Sequence, residues 1–188
     1  MKLKEGVIML MLCGGCILFV APATDLEPKE ISPNVIANPV PIGWPVKGRI
    51  SSDYGMRRHP IWRRKIFHDG LDIKAPYASV VRVTAAGKIE KAGFRGGYGR
   101  CVIVDHGFGW KSVYAHLKSV AVKAGERVLK GQKIGMVGSS GRATGPHLHY
   151  EVLYKSIAFN PELFTAGFDR QVISLLEDFS QKGSFRPR

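Results

Sequence analysis

Cysteine is scarce in this chain: three among 188 residues, with Cys13 and Cys16 close to the start. Those two fall in a stretch that has the shape of an export leader, so only Cys101 remains in the mature chain. Its setting, "RCVIVDHG", reads as that of a buried, unreactive thiol. A disulfide framework is therefore excluded, and an exported domain without one must rest on its core or on a metal. Acidic residues are also few, 15 against 28 basic ones. No RNA- or DNA-binding motif appears, and aromatic residues do not interleave with a basic stripe, so nucleic acid is not the expected partner. Long apolar runs are missing too. Val7 to Val20 is the one candidate, and it is short for a membrane span.

What remains at the start fits an export signal. Lys2 and Lys4 give a positive beginning, an apolar core follows, and Ala21-Pro22-Ala23 offers small residues for cleavage. Residues 1–23 are read as a signal peptide cleaved after Ala23, with an uncleaved N-terminal anchor as the alternative. Either places the protein in the periplasm or cell envelope. The net charge of +13 becomes +12 once Lys2, Lys4 and Glu5 leave with the leader. Such a charge suits an anionic envelope polymer or lipid surface. Residues 24–41, rich in proline, read as a linker.

From residue 42 to about 154, short apolar runs alternate with glycine-rich turns. The segments Arg49–Ser52, Leu71–Ile73, Val80–Val83, Lys88–Phe94, Cys101–Asp105, Trp110–His116, Lys133–Val137 and His147–Leu153 read as strands. There is no room between them for crossover helices. The expected fold is all-β, an antiparallel sandwich and barrel-like hybrid spanning residues 42–165. The one helical pattern comes late: Val172, Leu175, Leu176 and Phe179 recur at i, i+3, i+4 and i+7. An amphipathic helix is expected over Asp169–Ser180, packed on the sheet or on an envelope protein partner, within a C-terminal segment 166–188 that ends in a basic tail.

Three histidine settings stand out. In "TGPHLHYEV" a strand would point His147 and His149 to one face and Leu148 to the other. In "FHDGLDIKAP" a turn at Asp69-Gly70 would let His68 and Asp72 converge on one ion. In "VYAHL" the strand would put His116 on the face of Tyr114. Neutral imidazoles and a carboxylate are ligands that zinc accepts, and three of them with a water make an open, catalytic site. No His-Glu-x-x-His helix is present to supply a glutamate base. Glu151 shares the strand face of the histidine pair, either orienting an imidazole or facing solvent. His59 and His106 read as turn or strand-end residues. Tyr98, Tyr114 and Trp62 read as packing residues.

Taken in order, "HDGLD", "YAHL" and "TGPHLHYEV" resemble the three motifs of the lysostaphin-type zinc metallopeptidases, the LytM-like domains. "GWPVKGRISSDYGMRRHP" and "VLKGQKIGMVGSSGRATG" resemble that family's flanking segments. Ala143 departs from the pattern, where serine is usual. The resemblance implies one zinc ion in a groove, held by His68, Asp72 and His149, with His116 and His147 as the unligated catalytic pair. It implies peptidoglycan as the substrate, cut in its cross-links or stem peptides by a monomeric endopeptidase. The alternative is a non-catalytic wall-binding regulator on the same fold, activating an amidase. All five positions are filled here, as an enzyme requires.

Overall fold

The computed structural model describes residues 39–58 and 65–165. The expected leader, residues 24–38 of the linker and the helix over Asp169–Ser180 lie outside the described residues, as do His59 and Trp62. Val40 and Pro41, at the end of the segment read as linker, are already buried.

Alternation of apolar and polar residues, broken by glycine, gives strands across most of the described residues, with short 3-10 turns at Gly96–Tyr98 and Pro161–Phe164. The strands are β1 (Arg49–Ser52), β2 (Gly55–Arg58), β3 (Lys65–His68), β4 (Leu71–Lys74), β5 (Val80–Arg82) and β6 (Gly87–Phe94). Then follow β7 (Arg100–Gly107), β8 (Trp110–Val120), β9 (Arg127–Val128), β10 (Lys133–Val137), β11 (Leu148–Tyr154) and β12 (Ile157–Phe159). Every pairing is antiparallel. One ten-stranded sheet runs β1-β4-β11-β8-β7-β6-β9, with β10 joining β5 to β8 and β12 lying on β11. The ribbon β2–β3 stands apart as a second, two-stranded sheet. The antiparallel, all-β expectation holds.

Strands β2, β3, β9 and β12 were not expected from the sequence. β9 and β12 are two and three residues long, too short to show a period. β2 and β3 flank residues 59–64 and carry the charged runs Arg57-Arg58 and Lys65, which mask their alternation.

One face of the central strands builds the core. Leu71, Ile73, Leu148, Tyr150, Val152, Tyr114 and Leu117 are almost fully buried there. At about 25 cal/mol per Å² of apolar surface, side chains of this size each contribute roughly 1.5–3 kcal/mol when buried. The residues between them, Asp72, His149 and Glu151, point to the opposite face. Strand alternation thus turns a core into a platform for polar groups.

The long strand β8 serves two neighbours along one side. Trp110 to Ala115 pair with β11, and Leu117 to Val120 pair with β10. His116 sits at the hand-over, with φ of 60°. An isolated bridge between Gly138 and His147 closes the same junction. Gly138 is obligatory there, since a Cβ would lie 2.2 Å from the backbone nitrogen of Lys118.

Candidate metal centre

Asp72 and His149 face each other across β4 and β11, in a row that continues to Ser52 on one side and Ala115 on the other. His68 enters from the end of β3, four residues before Asp72, through the turn at Asp69-Gly70. Gly70 permits this approach: a Cβ there would lie 2.3 Å from the carbonyl oxygen of Tyr150. The turn therefore passes flush against β11, and His68 arrives beside His149.

The resulting donor atoms form a tight triangle. His149 Nδ1 is 2.9 Å from Asp72 Oδ1, His68 Nε2 is 3.3 Å from the same oxygen, and the two nitrogens are 3.1 Å apart. Among the described residues, His68, Asp72 and His149 are the cluster able to share one metal ion. A tetrahedral zinc with bonds of about 2.0–2.1 Å spans ligand edges of about 3.3 Å, so the triangle has the right size. The outer nitrogens are already occupied. His68 Nδ1 donates to the carbonyl of Asp53 at 2.7 Å, and His149 Nε2 donates to Glu151 Oε1 at 2.8 Å. Such contacts fix the ring orientation and leave the inner nitrogen for the ion. The donor set fits a borderline divalent cation such as zinc.

Electrostatics point the same way. Burial by itself would raise the Asp72 carboxyl, but hydrogen bonds with His149 and His68 outweigh it and hold the group well below the usual carboxylate range. Burial would lower His149, yet its bonds to Asp72 and Glu151 reverse this and push it up to about 9. Two carboxylates, Asp72 and Glu151, converge on the one imidazole of His149. A divalent cation taking Nδ1 displaces the proton there.

His147 and His116 lie beside the triangle with their rings 4.8 Å apart. His147 Nδ1 donates to the carbonyl of Gly145, and its Nε2 is 3.7 Å from Asp72 Oδ1. His147 precedes β11 rather than opening it, but it still shares the side of His149, with Leu148 turned into the core. His116 departs from the expected geometry. Tyr114 faces the core, where its hydroxyl bonds Thr84, whereas His116 turns to the groove. The register slips between the β7–β8 pairs Arg100–Leu117 and Val102–Tyr114, a bulge that re-aims His116. Its Nδ1 donates to the carbonyl of Ser140 at 2.8 Å. Burial, and then the His147 ring, push His116 down to about 4. At neutral pH its Nε2 is therefore an unprotonated acceptor facing the site.

Several residues beyond the histidines and Asp72 support this arrangement. Glu151 is buried and takes the orienting role, not the solvent one. The hydroxyl of Tyr98, read as a packing residue, donates to Glu151 Oε1 at 2.7 Å, and its ring lies 5.8 Å from His149. Ser140 receives a bond from the Arg100 backbone and donates to the Leu117 carbonyl, which holds the acceptor of His116 in place. The partners of Tyr98 and Ser140 lie 23 to 53 residues away in sequence, which leaves no local signal of these contacts. His106 belongs elsewhere, in a buried chain with Ser112, Tyr114, Thr84 and Tyr150.

Fold and site together define the class: an antiparallel β domain bearing a metal-type cluster of two imidazoles and one carboxylate. The chain belongs to peptidase family M23, whose profile matches residues 66–161. It is 45% identical over 113 residues to the DD-carboxypeptidase/endopeptidase Mpg of Neisseria meningitidis, covering 60% of this chain and 26% of that protein. It is 37% identical over 115 residues to the peptidoglycan DD-endopeptidase ShyA of Vibrio cholerae, covering 61% and 27%. The chain thus spans about a quarter of the length of the curated relatives it matches. Among solved structures, the catalytic domain of lysostaphin from Staphylococcus simulans superposes with a TM-score of 0.57 at 31% identity, over 62% of this chain and 91% of that one. A zinc-containing peptidase from Vibrio cholerae gives 0.58 at 34% identity, over 65% and 38%.

Proposed function

We propose that this chain is a zinc-dependent endopeptidase of peptidoglycan, hydrolysing peptide bonds in cross-links or stem peptides. The observation that carries the reading is the donor triangle of His68, Asp72 and His149 with two unligated histidines beside it. Relatives named peptidoglycan DD-endopeptidases support the substrate class. An export leader over residues 1–23, or an N-terminal anchor, would bring the domain at 42–165 to that polymer. The protein would act on it as a monomer.

His68, Asp72 and His149 would hold one zinc ion. When bound, zinc acidifies a water to a nucleophile near neutral pH and polarises the scissile carbonyl. The chain's own residues then manage the proton. His147 Nε2, whose Nδ1 is tied to Gly145, accepts it and later returns it to the leaving amine. His116, tied to Ser140, adds its hydrogen bond to the negative oxygen of the tetrahedral intermediate. As a neutral ring it offers only a lone pair at Nε2. This donation therefore requires a second proton at Nε2, taken up from solvent as the negative oxygen forms and given back when the intermediate collapses, since the proton held by His147 goes to the leaving amine.

A non-catalytic regulator would need neither an intact triangle nor a histidine pair. The deciding experiment incubates the chain with purified peptidoglycan, with and without a chelator, and identifies released fragments by mass. Chelator-sensitive release of peptide fragments is expected, and the masses name the bond. Binding without any release would overturn the proposal in favour of the regulator.

A further inference from the structure

The carboxylate of Asp72 has two oxygens with different company. Oδ1 faces the histidines: His149 at 2.9 Å, His68 at 3.3 Å and His147 at 3.7 Å. Oδ2 faces the guanidinium of Arg57, with Nη1 at 3.4 Å. Arg57 lies on β2, in the same ribbon whose other strand delivers His68. Its Nη1 also donates to Ser52 Oγ at 2.6 Å, and Ser52 is the residue paired with Asp72 in β1. Ser51 Oγ donates to the Asp72 backbone carbonyl at 3.1 Å. The outer side of Asp72 is thus gripped by the β1–β2 segment.

Arg57 holds this place at a cost. Its Nε is buried with no hydrogen-bond partner among the described residues, a loss that usually costs about 1–3 kcal/mol. A side chain free to relax would turn that N–H toward an acceptor or solvent. Arginine instead keeps one terminal nitrogen, Nη1, on both neighbours, hydrogen-bonded to Ser52 Oγ and ion-paired with Asp72 Oδ2.

We infer that Arg57 is a positioning residue for the metal centre, holding Oδ2 of Asp72 so that the carboxylate meets the ion through Oδ1 alone. This inference rests on the reading of Asp72 as a metal ligand. A carboxylate free on its outer side can swing to offer both oxygens, which fills the coordination position that substrate and water need. One occupied oxygen keeps that position open. The positive charge of Arg57 opposes binding of a cation, so its contribution must come through orientation. The two effects have opposite signs, which makes the inference testable.

The test titrates cobalt(II) alone into the full 188-residue chain and follows its visible absorption, which is stronger for four-coordinate than for five-coordinate cobalt. Arg57→Gln is expected to bind cobalt about 10–100-fold more weakly, the usual penalty for removing an orienting contact. Its bands are expected to weaken toward the five-coordinate pattern. Arg57→Lys, which keeps the charge but loses the rigid planar guanidinium, should fall between wild type and Arg57→Gln. Ser52→Ala removes only the anchor of Arg57 and should shift affinity and bands in the same direction by less, a safeguard should Arg57→Gln fold poorly by circular dichroism. Equal or tighter cobalt binding by Arg57→Gln, with unchanged bands, would overturn the inference. A wild-type chain that takes up no cobalt would sink the metal reading beneath it, a result distinct from wild type and variant binding alike.

Discussion

Nε2 of His149 donates to Oε1 of Glu151 at 2.8 Å, across one intervening residue of the same strand. The contact commits Nδ1 of His149 to Asp72 and so decides which nitrogen is presented to an ion. Glu151→Ala leaves all three proposed ligands in the chain but removes this constraint, and strands the Tyr98 hydroxyl as well. Metal affinity is expected to fall about 10–100-fold. Glu151→Gln retains an acceptor oxygen and should lose less. Competition with a chromophoric chelator measures both. Equal affinity in Glu151→Ala and wild type would show that the strand alone orients the ring.

Gly70 is the hinge on which His68 and Asp72 come together. A methyl group there meets the Tyr150 carbonyl oxygen at 2.3 Å and Glu151 Cγ at 2.9 Å, both on β11. Backbone cannot give way as a flexible side chain would, so Gly70→Ala must lift the turn. Overpacking of this kind costs about 1–3 kcal/mol. We expect a lower melting temperature together with a loss of metal binding larger than the stability loss explains, because the displaced turn carries His68. A variant that melts lower yet binds metal normally would place the strain elsewhere.

Much of this arrangement is legible in the sequence. The convergence of His68 and Asp72 through Asp69-Gly70 follows from a turn dipeptide ahead of an apolar strand. The shared face of His147 and His149 follows from a period of two. The core strands were legible for the same reason, since Leu71, Ile73, Leu148 and Tyr150 alternate with polar residues. His116 was misread in its orientation because strict alternation puts it with Tyr114. Only the β7–β8 bulge and the exchange of β11 for β10 turn it outward, and neither leaves a mark in "VYAHL". Tyr98 and Ser140 act from turns on residues far off in sequence, and Arg57 acts from β2 on the neighbouring strands. Their sequence neighbourhoods, glycine-rich or basic, look like any hairpin.

Away from the site, His106 gives the molecule an acid sensitivity. It is 1% exposed, with Nδ1 donating to the carbonyl of Ala86 and Nε2 against Ser112 Oγ. Burial lowers its pKa below the ordinary histidine value. A folded-state pKa below the unfolded one means that the unfolded chain binds the proton first. The stability that His106 supplies is therefore complete above about pH 6.5 and declines as the pH falls below it. His106→Asn, unable to titrate, should be less stable at pH 7.5 but should show a shallower decline toward pH 5. Urea midpoints across that range compare the two slopes. Parallel curves would mean that other groups carry the acid response.

His116 holds a left-handed backbone, φ 60°, where a non-glycine residue is strained by roughly 1–2 kcal/mol. That strain aims its ring at His147 and its Nδ1 at Ser140. Replacement by alanine removes the ring but keeps a Cβ in the unfavourable region; replacement by glycine removes both. Glycine ordinarily destabilises a strand relative to alanine, by roughly 0.5–1 kcal/mol. At this position the order should invert, with His116→Gly unfolding at higher temperature than His116→Ala. Both variants should retain metal, since the ring is outside the proposed ligand set, and both should lose about 10²–10³-fold in turnover, the usual loss for one oxyanion contact. Thermal melts, metal content and peptidoglycan hydrolysis measured on the same preparations separate these claims. If alanine is the more stable of the two, the positive φ is imposed by the histidine ring rather than by the exchange of strand partners, and the bulge is a consequence of the site rather than its cause.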